Sequence, residues 1–195
     1  SFHVNSYTRS AQEIVETYGI AKYREANPSL FTTVTFPFLF GVMFGDIGHG
    51  LLLFIFGLIM IFKKYKMAEI SELFIMVIPH RYLFALMGFF SMYCGFVYND
   101  FLSINLNLFG SCYNPSLVQE HQAIPRQEDC IYPFGVDPVW SVAENNLNYI
   151  NSLKMKISVI IGVVHTTLGV LIKCTNSLYY RRKVEFWFET IPQLI

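Results

Sequence analysis

The sequence predicts an all-α, polytopic transmembrane helical bundle of four spans and the start of a fifth, with an N-terminal cytosolic or interfacial amphipathic helix and a long luminal loop. Three observations predict it. The chain is 53% hydrophobic and 17% aromatic but only 14% charged, against roughly a quarter charged in an ordinary soluble domain. Several stretches as long as a bilayer is thick contain no charge. The charges that remain are sorted, with short basic clusters in two connections and acids in a third. The net charge is zero, which gives no basis for a nucleic-acid partner.

Residues 1–28 read as a cytosolic linker or amphipathic helix. Ser10 and Glu13 have capping-box spacing, Ile14, Tyr18 and Ala21 recur at helical intervals, and Gly19 ends or kinks the helix. Such a helix lies along the membrane surface or links to a soluble domain, and the two are compatible. The opening residues do not have the pattern of a signal peptide, and the chain starts without Met, so it is expected to begin inside a longer protein.

Residues 29–62 form two apolar runs separated by Gly45-Asp46-Ile47-Gly48-His49-Gly50. As one straight helix, Asn27 to Phe62 would extend about 54 Å, nearly twice a hydrocarbon core of about 30 Å. A transmembrane hairpin with its turn near 46–50 fits instead, since glycine permits sharp backbone geometry there. Residues 63–72, with Lys63, Lys64 and Lys66, form a cytosolic loop, and a third helix covers 73–102 around the uncharged run Tyr82 to Asn99. The loop 103–153 follows. From Asp100 to Leu153 the acids Asp100, Glu120, Glu128, Asp129, Asp137 and Glu144 face the single base Arg126, which places this connection in the lumen. A fourth helix covers 154–174, a cytosolic loop with Arg181, Arg182 and Lys183 covers 175–185, and 186–195 starts a fifth helix. An even number of crossings then leaves the N-terminus in the cytosol.

Cys112 and Cys130 share the luminal loop, where an oxidising compartment joins them in a disulfide or leaves two unpaired thiols. Cys94, inside the third span, and Cys174 read as small buried hydrophobes. No cysteine spacing fits a metal site.

The polar groups within or beside the spans are the candidate site: Asp46, His49, Lys154, Lys156 and His165. Asp46 and His49, three residues apart, share a helical face. Ionisable groups at membrane depth are commonly functional, whereas a pair at a turn can also be wet and pin the hairpin by hydrogen bonds. His165, beside Thr166 and Thr167, suits an interhelical hydrogen bond more than a proton relay. Lys154 and Lys156 snorkel to the luminal interface or pair with an acid such as Asp100. Arg81 and Asp100 anchor opposite ends of the third helix. Tyr93, Tyr98 and Trp140 read as an interfacial aromatic belt. No phosphate loop, HExxH or nucleophile elbow is present, and no cofactor is expected.

Four blocks carry a more specific signal: Tyr18 to Gly50 (YGIAKYREANPSLFTTVTFPFLFGVMFGDIGHG), Arg81 to Asp100 (RYLFALMGFFSMYCGFVYND), Tyr132 to Ser141 (YPFGVDPVWS) and Asn151 to His165 (NSLKMKISVIIGVVH). In this order they resemble the first part of the membrane half of the subunit a family of V-type proton ATPases. The match is weakest from Phe109 to Ile131. Pro79-His80 stands where the family often has Gly, and Cys94 where it often has Thr. The resemblance implies a stationary Vo-sector subunit of a rotary proton pump, non-catalytic itself, in the membrane of an acidic organelle such as a vacuole, lysosome, endosome, Golgi or contractile vacuole. It implies as partners the proteolipid c-ring, subunit d, peripheral stalk subunits and membrane lipid. The essential ring-facing arginine is expected beyond Ile195, and the four spans are expected to brace the helices that carry it.

Overall fold

The computed structural model describes residues 4–22, 24–64, 71–113, 129–142 and 145–194. Helix α1 is Arg9–Tyr18, α2 Ser29–Phe44 and α3 Ile47–Phe62. Helix α4, Glu72–Tyr98, is α-helical except for a 3-10 turn at Ile78–His80, where Pro79 interrupts the amide pattern. A two-residue-per-strand antiparallel ribbon follows, β1 Asp100–Phe101 with β2 Ile104–Asn105, and then a 3-10 segment at Pro138–Val142. Helix α5, Asn146–Tyr179, is the longest, and the chain closes with Lys183–Glu185, a π-turn Phe186–Thr190 and Ile191–Leu194.

Two of these helices, α4 and α5, are long and apolar enough to cross a membrane. Helices α2 and α3 are apolar but have 16 residues each, about 24 Å at 1.5 Å per residue. The break between them is tight. Phe44 ends α2, and Asp46 is extended (φ −151°, ψ 129°) and caps α3 by accepting a hydrogen bond from the Gly48 amide. Gly48, His49 and Gly50 therefore belong to the first turn of α3, so the hairpin turn expected over 46–50 is confined to Gly45–Asp46.

The legs of this hairpin do not pack mainly on each other, because α4 is inserted between them. Against α3 it runs antiparallel: Gly95 lies on Ile47, Ser91 and Met92 on Gly50, Gly88 on Phe54, and Ala85 on Gly57. Glycine contributed from both helices brings the backbones together, and a Cβ on Gly57 would stand 2.6 Å from the Ala85 amide nitrogen. Against α2 the helix α4 runs parallel, with Phe90 against Gly41 and edge-on to Phe38, and the Tyr98 hydroxyl donating to Val42 O at 2.9 Å. Helix α5 crosses α2 antiparallel: Ile157 and Ile161 pack on the core of Val42, Cys94 and Tyr98, and Asn176 Oδ1 accepts from the Ala26 amide at 3.0 Å. Most of its remaining surface is open.

Several expectations are corrected. The helix taken to begin at 154 starts at Asn146 and continues past 174 to Tyr179, so the loop expected over 103–153 is shorter. The third helix begins at Glu72, and its C-cap is Asn99 in the left-handed region. Ser10 does not form a capping box. Helix α1 starts at Arg9 without a side-chain cap, Ser10 Oγ bonds His80 Nδ1 at 3.0 Å, and Glu13 pairs with Arg9. Its buried face is Ser10, Ala11 and Gln12, whereas Tyr18 is 92% exposed and Ala21 lies past the helix end, because α1 docks through its first turn rather than along a full apolar stripe. Lys66, Glu120, Arg126, Glu128 and Glu144 lie outside the described residues.

Candidate functional site

At one end of the bundle, the polar groups gather around the α2–α3 turn. Asp46 is 7% exposed, so the carboxylate that a turn would leave wet is enclosed. Its Oδ1 accepts from the Gly48 amide and from the Leu102 amide, each at 2.9 Å, and its Oδ2 pairs with His49 Nδ1. Its backbone carbonyl accepts from the Gly50 amide at 3.0 Å and from Ser91 Oγ at 3.4 Å. One residue thus starts α3, touches α4 and holds the turn that follows α4. That turn needs holding: Leu102 (φ 51°) and Ser103 (φ 64°) are both left-handed, which in a two-residue hairpin favours Asn or Gly. The Leu102 side chain closes over Gly48, where a Cβ would collide with it.

Asp100 lies just beyond α4, and its Oδ1 is buried without a hydrogen-bond partner. Burial, and then the charge of Asp46, raise its pKa, while Lys154 and a backbone hydrogen bond from Ser103 oppose the rise. Lys154 does not make the expected ion pair. No carboxylate lies within 4.0 Å of it among the described residues, and its Nζ sits 4.8 Å from the centre of the Tyr98 ring. Asp100, Lys154, Asn105, Asn151 and Trp140 line one cavity of about 250 Å³. Lys156 is exposed on α5.

His165 is apart from this cluster. Its Nε2 is 2.9 Å from Thr35 Oγ1, which also lies 3.0 Å from Phe31 O, and the His165–Thr35 bond ties α5 to α2. The structure therefore brings Asp46, His49 and Lys154 to one end and leaves His165 mid-helix, bonded to Thr35. Tyr98 is not a belt residue: it is buried, with its hydroxyl bonded into α2. Trp140 stacks on Tyr149 with centroids 4.7 Å apart, and Tyr93 is half exposed.

Sequence reasoning did not single out Asn99 and Asp137. Asn99 Nδ2 donates to Tyr132 OH at 2.6 Å and to Val136 O at 3.1 Å. Asp137 accepts from Ser111 Oγ, Cys112 N and Val139 N at 2.7, 3.0 and 3.0 Å. The signal available was an Asp before Pro at a turn. Cys112 and Cys130 are joined in a disulfide, Cα atoms 5.5 Å apart, beside Asp137. Cys94 is buried, and Cys174 is intermediate. Among the described residues no group of three metal-ligating side chains occurs.

A model of the V-type ATPase 116kDa subunit family matches residues 1–195. The chain belongs to this family. It is 41% identical over 211 residues to the V-type proton ATPase 116 kDa subunit a 1 of Mus musculus, covering 98% of this chain and 25% of that protein. It is 47% identical over 199 residues to the vacuolar proton translocating ATPase 100 kDa subunit of Dictyostelium discoideum (100% and 24%), and 42% over 201 residues to the V-type proton ATPase subunit a3 of Arabidopsis thaliana (100% and 24%). The chain spans about a quarter of the length of these curated relatives. The Asp46 cluster thus belongs to a subunit a fragment of a V-type ATPase.

Proposed function

We propose that this chain is the opening membrane portion of a stationary Vo-sector subunit a, that its four apolar helices all cross the bilayer with the N-terminus cytosolic, and that it braces the proton-conducting helices of an organelle-acidifying pump. The observation that carries the reading is how packing sorts charge. Antiparallel α3 and α4 put Lys63, Lys64 and Arg81 at the same end as α1, and antiparallel α2 and α5 bring Arg181, Arg182 and Lys183 there too. Asp46, Asp100, Asp137 and the disulfide lie at the opposite end. Glu13, Glu25, Glu185 and Glu189 share the α1 end and Lys154 the opposite one, but an excess of bases at one end and of acids at the other is the pattern of a positive-inside membrane protein with a luminal loop.

Helices α2 and α3 fall short of the hydrocarbon thickness, yet both lie alongside α4, so a bilayer crossed by α4 contains them at the same depth. Short spans are accommodated by local thinning and by flanking polar residues at the interface. The proteolipid ring, subunit d and the peripheral stalk are the partners of this reading, and ATP hydrolysis takes place on other subunits.

A chimera tests it. Residues 1–195 replace the matching quarter of the Dictyostelium relative, and ATP-driven dye quenching is measured in vesicles from cells lacking their own subunit. Retained acidification is expected, within about twofold per assembled complex, because a bracing element contributes no group to the chemistry. A chimera that assembles fully yet does not acidify would contradict the bracing role.

A further inference from the structure

At the end of the bundle opposite Asp46, three separate stretches of chain surround a cavity of about 280 Å³. Arg9 comes from α1, Lys64 from just past the end of α3, and Ile75, Ile78, Pro79 and Arg81 from the first turns of α4. Its polar side is cationic and its wall is apolar. The Arg9 guanidinium is engaged by Glu13 at 2.8 Å. Arg81 is held differently: it donates to Ile78 O at 3.1 Å and lies 4.7 Å from the centre of the Tyr82 ring, with no carboxylate within 4.0 Å among the described residues. A guanidinium has five N–H donors in a planar fork, so both known contacts orient it while leaving donors for an anion.

The surroundings narrow the anion. Phe62, Leu73 and Met76, at the α3 and α4 ends that approach this cavity, are 80%, 72% and 74% exposed. An inorganic anion gains nothing from such a border, whereas an amphiphile satisfies both halves. We propose that the cavity is a headgroup site for an anionic phospholipid of the leaflet next to α1. Arg81 is the principal phosphate ligand, Lys64 and Arg9 flank it, and the acyl chains run along Leu73, Met76 and Phe62. The site rests on the membrane embedding proposed above but not on the pump assignment.

The test uses the full-length subunit in its assembled complex, reconstituted into phosphatidylcholine nanodiscs carrying a photo-crosslinkable probe of either phosphatidic acid or phosphatidylcholine. Cross-linked peptides are mapped by mass spectrometry. Acid-probe labelling is expected to concentrate on the peptide containing Ile75 to Tyr82 and to fall about fivefold in Arg81→Gln, the scale of one cationic contact at a membrane surface. It should resist competition by inorganic phosphate. Lys173→Gln, which removes a cation of the same end that pairs with Glu189, should leave labelling unchanged. If Arg81→Gln does not assemble, Lys64→Gln provides the same comparison. Equal labelling by the phosphatidylcholine probe, or unaltered labelling in the assembled variant, overturns the site. Displacement by inorganic phosphate alone overturns the lipid assignment. Loss of lipid binding with intact acidification would leave the proposed function standing, so the two failures are distinguishable.

Discussion

Gly88→Leu is expected to remove the subunit from assembled complexes almost entirely. At Gly88 a Cβ would already collide with the backbone of Phe54 and stand 2.8 Å from Gly50 O, so no rotamer change on α3 can make room. Backbone is what has to move. Overpacking in a close-packed interior costs about 1–3 kcal/mol when side chains can adjust, and a leucine pressed on backbone lies at or beyond the upper end. The α3–α4 contact is also the most extensive in the bundle, and it depends on glycine at Gly50, Gly57, Gly88 and Gly95 together. Copurification of the subunit with the complex should fall more than about tenfold, corresponding to about 1.4 kcal/mol. Gly19→Ala serves as the control, since a Cβ there meets nothing within 4 Å and its φ of 166° is extended backbone open to any residue. Normal assembly of Gly88→Leu would mean that α3 and α4 do not meet as described.

Asp46→Ala should be the most damaging polar substitution. It deprives the buried Gly48 amide and the half-buried Leu102 amide of their acceptor, removes the α3 cap and leaves the left-handed turn at Leu102 and Ser103 held to α3 only by the Leu102 side chain over Gly48 among the contacts described above. An unsatisfied buried amide costs about 1–3 kcal/mol and a lost cap about 1 kcal/mol, so assembly should drop by well over tenfold. Asp46→Asn keeps one acceptor oxygen for both amides and weakens mainly the His49 contact. It should assemble at a reduced level, with acidification per assembled complex unchanged. Lys154→Ala should be milder than either, because a cation over a ring contributes about 0.5–2 kcal/mol. Full assembly of Asp46→Asn with acidification lost would turn Asp46 from a structural tie into part of a proton path.

The sequence was most informative where one physical signal acted alone. Uncharged runs marked the apolar helices because nothing but lipid or a dry core accommodates them, and the break after Phe44 was legible from three glycines around Asp46. Helix ends were less legible. Asn146 to Leu153 and Thr175 to Tyr179 are polar enough to read as loop, yet they continue α5, since a helix is not obliged to stop where hydropathy does. The Ser10–Glu13 spacing was misleading because a tertiary partner, His80, competes for the serine hydroxyl. Tyr98 was misread for a similar reason: an amphipathic ring suits the headgroup layer equally well, and only the position of Val42 O shows that its hydroxyl is satisfied inside. At the candidate site, Asp46 and His49 were found by spacing within one helix. The partners that give Asp46 its importance, Leu102 and Ser91, are 45 residues or more away along the chain, and no local pattern reveals them. Asp100 is visible in the sequence as a charge but not as one with an enclosed carboxylate oxygen.

The claim on which everything else depends is that two ends of this bundle lie on opposite sides of a bilayer. It is tested most directly by reducing sealed vesicles of known sidedness, adding a membrane-impermeant maleimide from one side at a time and resolving the labelled cysteines by peptide mass. Cys112 and Cys130 should react only from the luminal side, and Cys94, buried between helices, from neither. Reaction of Cys112 and Cys130 with reagent added to the cytosolic face of intact vesicles would contradict the account.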